Sequence, residues 1–342
     1  MKAVILAGGE GTRLRAVTRG APKPLVELLG RSVMEHLLLL LRRCGCTQVC
    51  AALGYRAQTI MDALGDGAAL GVGLCYRVED TPLGTAGAVK NCADFYGDED
   101  FLLLSGDAVC DYDLGALFRR HRESGAAVTV ALRRESAPLR FGLAVTDGDG
   151  EIRGFVEKPD WERVVSDRVN TGIYVLSPRA MAAVPDGAPF DFARDLFPLL
   201  LRRGEKLLGA EMDGYWRDIG TPLSYYQCCV DALEGRLKLD VPEAFRPRAG
   251  TPGHRRPPEE TAATAEVACR DRAAAMGALS SLMLEMGADF TDGIRVPLPA
   301  GEVHIRPRAD RSAISVSVRA PDAEFAASLA LSAGEIIRAL NL

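Results

Sequence analysis

At 342 residues the chain has room for two domains, or for one large domain with an appendage. Apolar residues at 48% and charged residues at 25% are those of a soluble globular protein. The formal charge of -5 lacks the basic excess that a nucleic-acid backbone requires, whereas a small anionic ligand needs only a few placed cations.

Met1 runs directly into strand-like sequence with no charged lead, apolar segment and cleavage site, so the expected compartment is the cytoplasm. Lys2–Ala7 reads as a buried strand that stops at Gly8-Gly9-Glu10-Gly11-Thr12-Arg13. Val33–Arg43 reads as the first long helix, with Ser32 as N-cap, Glu35 closing a capping box and Gly45 ending it. Its run Leu37–Leu41 is far too short to span a bilayer, and no membrane partner is expected. Cys44, Cys46 and Cys50 follow, with His36 on the preceding helix. With no second cluster, these and the other members of an odd set of nine cysteines read as reduced core thiols rather than zinc ligands or disulfides.

Thr47–Leu53 (strand), Gln58–Leu64 (helix) and Gly73–Val78 (strand) then give the βαβ rhythm of a parallel sheet, which places helices on both faces. Thr85–Ala93 reads as a helix, Phe101–Leu104 as a strand, Leu114–Ser124 as a helix and Ala126–Leu132 as a strand. Between Phe141 and Val156 two short strands flank Asp147-Gly148-Asp149-Gly150, an antiparallel hairpin that can wall a substrate site. Gly172–Leu176 continues the sheet, Phe192–Leu201 reads as one helix, Leu207–Glu211 and Tyr215–Arg217 as strands, and Pro222–Leu233 as a last helix. This sets a first domain at 1–236. Residues 237–260, rich in Pro and Arg, read as a linker. The remainder, 261–342, reads as a small second domain: helix Arg272–Met286, strands Asp292–Pro297, Glu302–Arg306 and Ile314–Ala320, and helix Glu324–Leu340.

Chemistry concentrates in the first domain. Glycines after a first strand let backbone amides curl around an anion, and Arg13 and Lys23 add positive charge to that cradle. The loop fits neither the P-loop nor the dinucleotide fingerprint. Asp107 stands just past an apolar strand, at the carboxyl edge where α/β sheets bind ligands. Asp218 stands at another strand end, and two such carboxylates can share one Mg²⁺. Glu157-Lys158 by spacing alone is an ordinary solvated pair.

Gly8 to Leu14 (G-G-x-G-T-R-L) followed by Pro22-Lys23-Pro24 resembles the opening of the sugar-nucleotidyltransferase family, with Ala16 where that family usually has proline. The resemblance extends to Leu83-Gly84-Thr85-Ala86-Gly87-Ala88, Ser105-Gly106-Asp107, Phe141-Gly142, Glu157-Lys158-Pro159, Asn170-Thr171-Gly172 and Trp216 to Pro222. It implies an α/β architecture, a Rossmann-like mixed-sheet nucleotidyltransferase domain carrying a small α+β C-terminal domain. It implies nucleotide binding by Leu6, Ala7, Gly8, Gly9, Gly11, Thr12, Arg13, Glu79, Gly84 and Thr85, the hydroxyl of Thr85 meeting the base or ribose. The sugar would meet Gly142, Glu157, Asn170 and Thr171, with Lys158 on its phosphate. Mg²⁺ would sit on Asp107 and Asp218, and the catalytic groups would be Arg13, Lys23, Asp107, Lys158 and Asp218.

The resemblance implies a nucleoside triphosphate and a sugar 1-phosphate as partners. The sugar phosphate oxygen is already an anionic nucleophile, so in-line attack on the α-phosphorus needs no base, and positioning with electrostatics suffices. At Glu79, relatives using thymidine or uridine triphosphates tend to carry glutamine; an acceptor-only carboxylate pairs with the N–H edge of guanine. The expectation is therefore GTP, and the resemblance of Pro22 to Val26 and Leu83 to Gly87, with Glu79, to the mannose-1-phosphate branch of the family implies mannose 1-phosphate. The other readings are UTP or dTTP with glucose 1-phosphate, GTP with manno-heptose 1-phosphate, and a catalytically silent regulatory or ligand-sensing subunit. Either way a homo-oligomer is compatible with the sequence.

The tail resembles, more loosely, the fourth domain of phosphohexomutases, through Cys269, Asp292-Gly293-Ile294 and Arg306-Pro307. That family continues R-P-S-G-T-E-P, whereas here Arg308-Ala309-Asp310-Arg311-Ser312 follows, so a structural or dimer-forming role is expected rather than phosphate binding.

Overall fold

The computed structural model describes residues 1–11, 14, 21–135, 141–157, 165–240, 242, 261–269, 272–283, 288, 293–298, 301–308, 313–320 and 323–339. The chain divides into two compact units, Met1–Pro247 and Arg248–Leu342. Most of the Pro/Arg-rich linker expected at 237–260 lies outside the described residues.

The first unit is organised by strand β1 (Lys2–Leu6). A two-residue ribbon, β2 (Glu27–Leu28) and β3 (Arg31–Ser32), leads into the helix Val33–Arg43. Ser32 Oγ accepts from Glu35 N, and Ser32 N donates to the Glu35 carboxylate, so the capping box forms as the sequence dictates. Then come β4 (Gln48–Leu53), helix Ala57–Leu64, β5 (Gly73–Val78) and helix Gly84–Lys90. A separate turn of helix, Ala93–Tyr96, follows, so the single helix expected over Thr85–Ala93 is broken. Next are β6 (Phe101–Ser105), β7 (Ala108–Cys110), helix Leu114–Ser124 capped by Asp113, and β8 (Val128–Arg134). The hairpin is present as β9 (Gly142–Thr146) and β10 (Ile152–Glu157), antiparallel with Glu157 opposite Gly142. β11 (Arg168–Leu176) begins four residues earlier than expected, then β12 (Leu207–Glu211), β13 (Trp216–Asp218) and helix Pro222–Leu233 complete the unit.

Among the described residues the main sheet has nine strands. Its order is β10-β9-β11-β6-β1-β4-β5, with β8 also on β11 and β12 on β8. β1 is parallel to β4 and β6, while β11 runs antiparallel to β6. Successive residues of β1 enter opposite cores: Ala3 and Ile5 pack with Leu38, Leu41, Ile60 and Leu117, whereas Val4 packs with Val89, Leu103, Leu196 and Phe197. Burial on both faces is what a largely parallel strand needs, and it explains why Ala3 to Ile5 are all apolar. A third cluster, including Val26, Val109, Tyr215, Ile219 and Cys228, seats the helix Pro222–Leu233 beneath β7 and β13.

The expected helix Phe192–Leu201 is in fact a π-helical turn, Phe192–Leu196, running into an α-helix, Phe197–Arg202. Pro198 explains the change of winding, because it has no N–H with which to bond the carbonyl of Arg194 in an α-helical ladder.

In the second unit β14 (Thr261–Ala268), β15 (Ile294–Leu298), β16 (Gly301–Pro307) and β17 (Ala313–Ala320) form an antiparallel sheet in the order β14-β17-β16-β15. The helices Arg272–Met283 and Ala323–Ala339 contribute Leu279, Ala330 and Ile337 to a core with Val267, Val296, Ile305, Val316 and Val318. Asp292 and the segment Ala309 to Ser312 lie outside the described residues. All nine cysteines are free of disulfides. Among the described residues no helix is long and apolar enough to cross a membrane.

Candidate active site

The carboxyl ends of β1 and β6 open onto a cavity of about 500 Å³, lined by the glycine loop Gly8, Gly9 and Gly11 on one side and by Glu79, Gly84 and Thr85 on another. Ala7 N donates to Ala52 O and Gly106 N donates to Leu6 O at 2.8 Å, so the strand ends are tied together at its floor. Leu6 and Ala7 line it as well.

Two aspartates and a lysine converge at one end. Asp107 precedes β7 and Asp218 ends β13; these strands pair antiparallel with Asp218 opposite Ala108, and Ile219 N donates to Asp107 O at 3.2 Å. That short ribbon, invisible in local sequence pattern at Ala108–Cys110, is what sets the two carboxylates side by side. Lys23 opens a 3₁₀ turn, Lys23–Leu25, started by the flanking prolines. Its Nζ donates to Asp107 Oδ2 at 3.0 Å and to Asp218 Oδ1 at 3.3 Å. The lysine side chain is 8% exposed, the aspartates 46% and 38%. Ser105 Oγ donates to the other oxygen of Asp107, Oδ1, at 2.5 Å. Desolvation pushes the Asp107 carboxyl up, but the Lys23 charge and the hydrogen bonds from Ser105 and Lys23 outweigh it and hold the group below the usual carboxylate range.

These two carboxylates are hard oxygen donors that converge on the Lys23 ammonium, so they are residues that could hold a hard divalent cation such as Mg²⁺. Among the described residues no group of three or more His, Cys, Asp or Glu side chains is arranged to hold a metal, and Cys44, Cys46 and Cys50 form no such centre.

Glu79 sits on the cavity wall with Oε2 accepting from Leu83 N at 2.8 Å. Thr85 also lines the cavity; its hydroxyl donates to Asp191 Oδ2 at 2.8 Å and accepts from Phe192 N at 3.0 Å, so it fastens the Gly84 turn to a segment more than a hundred residues later. Phe190 O accepts from both Ala86 N and Gly87 N at the same junction. Asp191, which lines the cavity, was not singled out by the sequence; as N-cap of the π-helical turn it accepts from Ala193 N and Arg194 N, and an Asp before an amphipathic run is the signal that would have found it.

On the sugar side, Gly142, Glu157 and Asn170 come together on β9, β10 and β11. A β-carbon on Gly142 would lie 2.8 Å from Glu157 Oε2 and 3.9 Å from Asn170 Cβ. The β11 bulge is held by Asn170, whose Oδ1 accepts from Gly172 N and whose Nδ2 donates to Tyr174 Oη. Gly172 passes close to Ser105, which links this group to the Asp107 end. Thr171 does not join it: the side chain is buried, 2% exposed, and its hydroxyl donates to Ala131 O at 2.7 Å, because strand alternation turns it inward. Thr12, Arg13 and Lys158 lie outside the described residues.

Behind β13 is a second carboxylate centre. Asp231, 3% exposed, accepts from Tyr215 Oη at 2.6 Å, Gln227 Nε2 at 2.9 Å, Arg217 Nη2 at 3.1 Å and Arg236 Nε at 2.9 Å. Burial pushes its carboxyl up, but the hydrogen bonds from Tyr215, Gln227 and Arg236 and the Arg217 charge bring it below the ordinary range.

The chain belongs to the nucleotidyl transferase family, whose model matches residues 2–235. It is 37% identical over 251 residues to a UTP–glucose-1-phosphate uridylyltransferase of Synechocystis, covering 70% of this chain and 65% of that protein. It is 35% identical over 234 residues to a mannose-1-phosphate guanylyltransferase of Mycobacterium tuberculosis, covering 68% and 65%. The chain therefore spans about two thirds, 65%, of the length of each of these curated relatives. Among solved structures it resembles HddC from Yersinia pseudotuberculosis complexed with GMP-PN, with a TM-score of 0.57 and 28% identity over 68% of this chain and 99% of that one.

Proposed function

We propose that the protein transfers a guanylyl group from GTP to mannose 1-phosphate, giving the nucleotide sugar and pyrophosphate. The observation that carries the reading is the meeting of Lys23, Asp107 and Asp218 at one end of the cavity that the glycine loop lines. In the reaction a phosphate oxygen of the sugar 1-phosphate forms a bond to the α-phosphorus as the bond to the β-phosphate breaks. Amides of Gly8, Gly9 and Gly11 cradle the triphosphate, and Lys23, with Arg13 beside it in the motif, offsets charge on the departing pyrophosphate. Asp107 and Asp218 would hold Mg²⁺, which supplies positive charge against the reacting phosphates. Ser105 keeps Asp107 turned toward that position. Glu157, Asn170 and Gly142 meet the sugar, and Lys158 its phosphate.

Glu79 supports guanine. With one carboxylate oxygen held by Leu83 N–H, the group stands fixed on the cavity wall as an acceptor for the N–H edge of that base. The name of the mycobacterial relative and the nucleotide analogue bound to HddC agree with this choice. The cyanobacterial relative favours UTP with glucose 1-phosphate as a second reading. The second unit, lacking the phosphate-loop residues of the mutases, is taken as a structural or dimer-forming body.

The test is pyrophosphate release from purified protein, with common nucleoside triphosphates crossed against mannose, glucose and manno-heptose 1-phosphates. The expected result is Mg²⁺-dependent release with GTP and mannose 1-phosphate. Release with UTP and glucose 1-phosphate instead establishes the second reading, and no release from folded protein overturns both.

A further inference from the structure

We infer that Lys23 closes the Asp107/Asp218 pair against divalent cations until a nucleoside triphosphate draws its ammonium away, so that metal and nucleotide are taken up together. This rests on the reading of that pair as the metal-holding one. The Lys23 ammonium lies between the carboxylates, 3.0 Å from one and 3.3 Å from the other. The ammonium comes from the protein side, 8% exposed, while both aspartates face outward. An entering ion thus meets oxygens whose attraction is already partly spent on an internal charge. A divalent ion and an ammonium bound to the same oxygens would stand within a few ångströms of each other and repel.

The stem of Lys23 lies directly under the glycine loop. A β-carbon on Gly11, at φ +62°, would be 2.8 Å from Lys23 Cβ and 3.4 Å from its Cδ. The ammonium therefore has a second partner within the same cavity once phosphate oxygens occupy that loop. A lysine is a point charge on a flexible four-carbon stem, able to exchange one anion for another by rotamer changes alone. Moving it to the triphosphate converts the aspartates from a satisfied ion pair into an open carboxylate pair. Metal affinity without nucleotide is lowered by the fraction of time the pair stays closed, and the linkage makes nucleotide tighten metal in the same measure as metal tightens nucleotide.

The experiment is Mn²⁺ binding to nucleotide-free protein, followed by the electron paramagnetic resonance signal of free Mn²⁺, for wild type, Lys23→Met and the double variant K23M/D218N. Thermal melts confirm that each is folded, and Lys23→Gln replaces the methionine variant if that one does not fold. Removing the ammonium should tighten Mn²⁺ binding about tenfold, and adding D218N should abolish the gain. Equal affinity in wild type and the Lys23 variant overturns the inference and leaves the transferase reading untouched, since turnover is not measured. Absence of Mn²⁺ binding in both removes the metal pair and the inference with it, and pyrophosphate release then judges the transferase reading separately.

Discussion

Asp218 and Asp231 flank the same end of the chain but live under opposite rules. Asp218 is 38% exposed and shares Lys23 with Asp107. Asp231 is 3% exposed and receives hydrogen bonds from Tyr215, Arg217, Gln227 and Arg236. Saturation of one carboxylate by fixed donors leaves it nothing to offer a ligand, but makes it a clamp between β13 and the helix Pro222–Leu233. Among the described residues the carboxylates at the cavity share the Lys23 ammonium and are part exposed, so they are open to exchange of partners. Donor supply and exposure, more than charge, separate a site that acts from one that holds.

The largest effect expected on this contrast comes from Asp107→Ala, which should lower Mg²⁺-dependent turnover about a thousandfold, the several kcal/mol that a metal clamp supplies. Its melting temperature should stay near that of wild type. Turnover unchanged in D107A would erase the distinction between the two centres. Asp231→Ala should do the reverse, costing about 2 kcal/mol of stability in urea unfolding, because the Tyr215 hydroxyl and the Gln227 amide lose their acceptor while the part-exposed guanidinium groups of Arg217 and Arg236 turn to water. A folded D231A population should keep the same Mg²⁺ dependence.

The same contrast has a pH signature. Because the Asp231 carboxyl is lowered in the folded protein, its contribution is complete above the unfolded-chain value of about 3.9 and is lost as pH falls through the lower folded value. Unfolding midpoints of wild type should therefore fall more steeply with acid below that value than those of Asp231→Asn; parallel curves would deny Asp231 its role. Ser105→Ala, which removes the 2.5 Å bond to Asp107, should cost about tenfold in kcat/KM, the worth of a hydrogen bond to a charged group. Smallest is Thr171→Val: loss of the bond to Ala131 O should cost about 1 kcal/mol of stability and leave the sugar-phosphate KM unchanged. A raised KM there would return Thr171 to the sugar side.

Elements written in local pattern were legible. The Ser32/Glu35 box, the helix Leu114–Ser124 and the hairpin around Asp147 to Gly150 are each specified within a few residues, and the structure has them. What the sequence hid was partnership at long range. β7 has only three residues and is a strand because Trp216–Asp218 pairs with it. β14, Thr261–Ala268, is rich in alanine and threonine and becomes a strand through its eight-residue register with β17. Asp107 stood out because it follows an apolar strand, and Thr85 and Thr171 stood out with their motifs. Nothing local, however, says that Asp191 takes the hydroxyl of Thr85 or that the side chain of Thr171 turns inward to Ala131.

The separation of Lys23 from Asp218 along the chain has a consequence during synthesis. The cavity end that they build with Asp107 cannot be completed until Asp218 has left the ribosome. At translation speeds of 5–20 residues per second, roughly 10 to 40 s pass between the two residues. In that interval the carboxylate of the pair available to Lys23 is that of Asp107, and β13, with the Asp231 clamp behind it, is the last strand of the first unit to be synthesised.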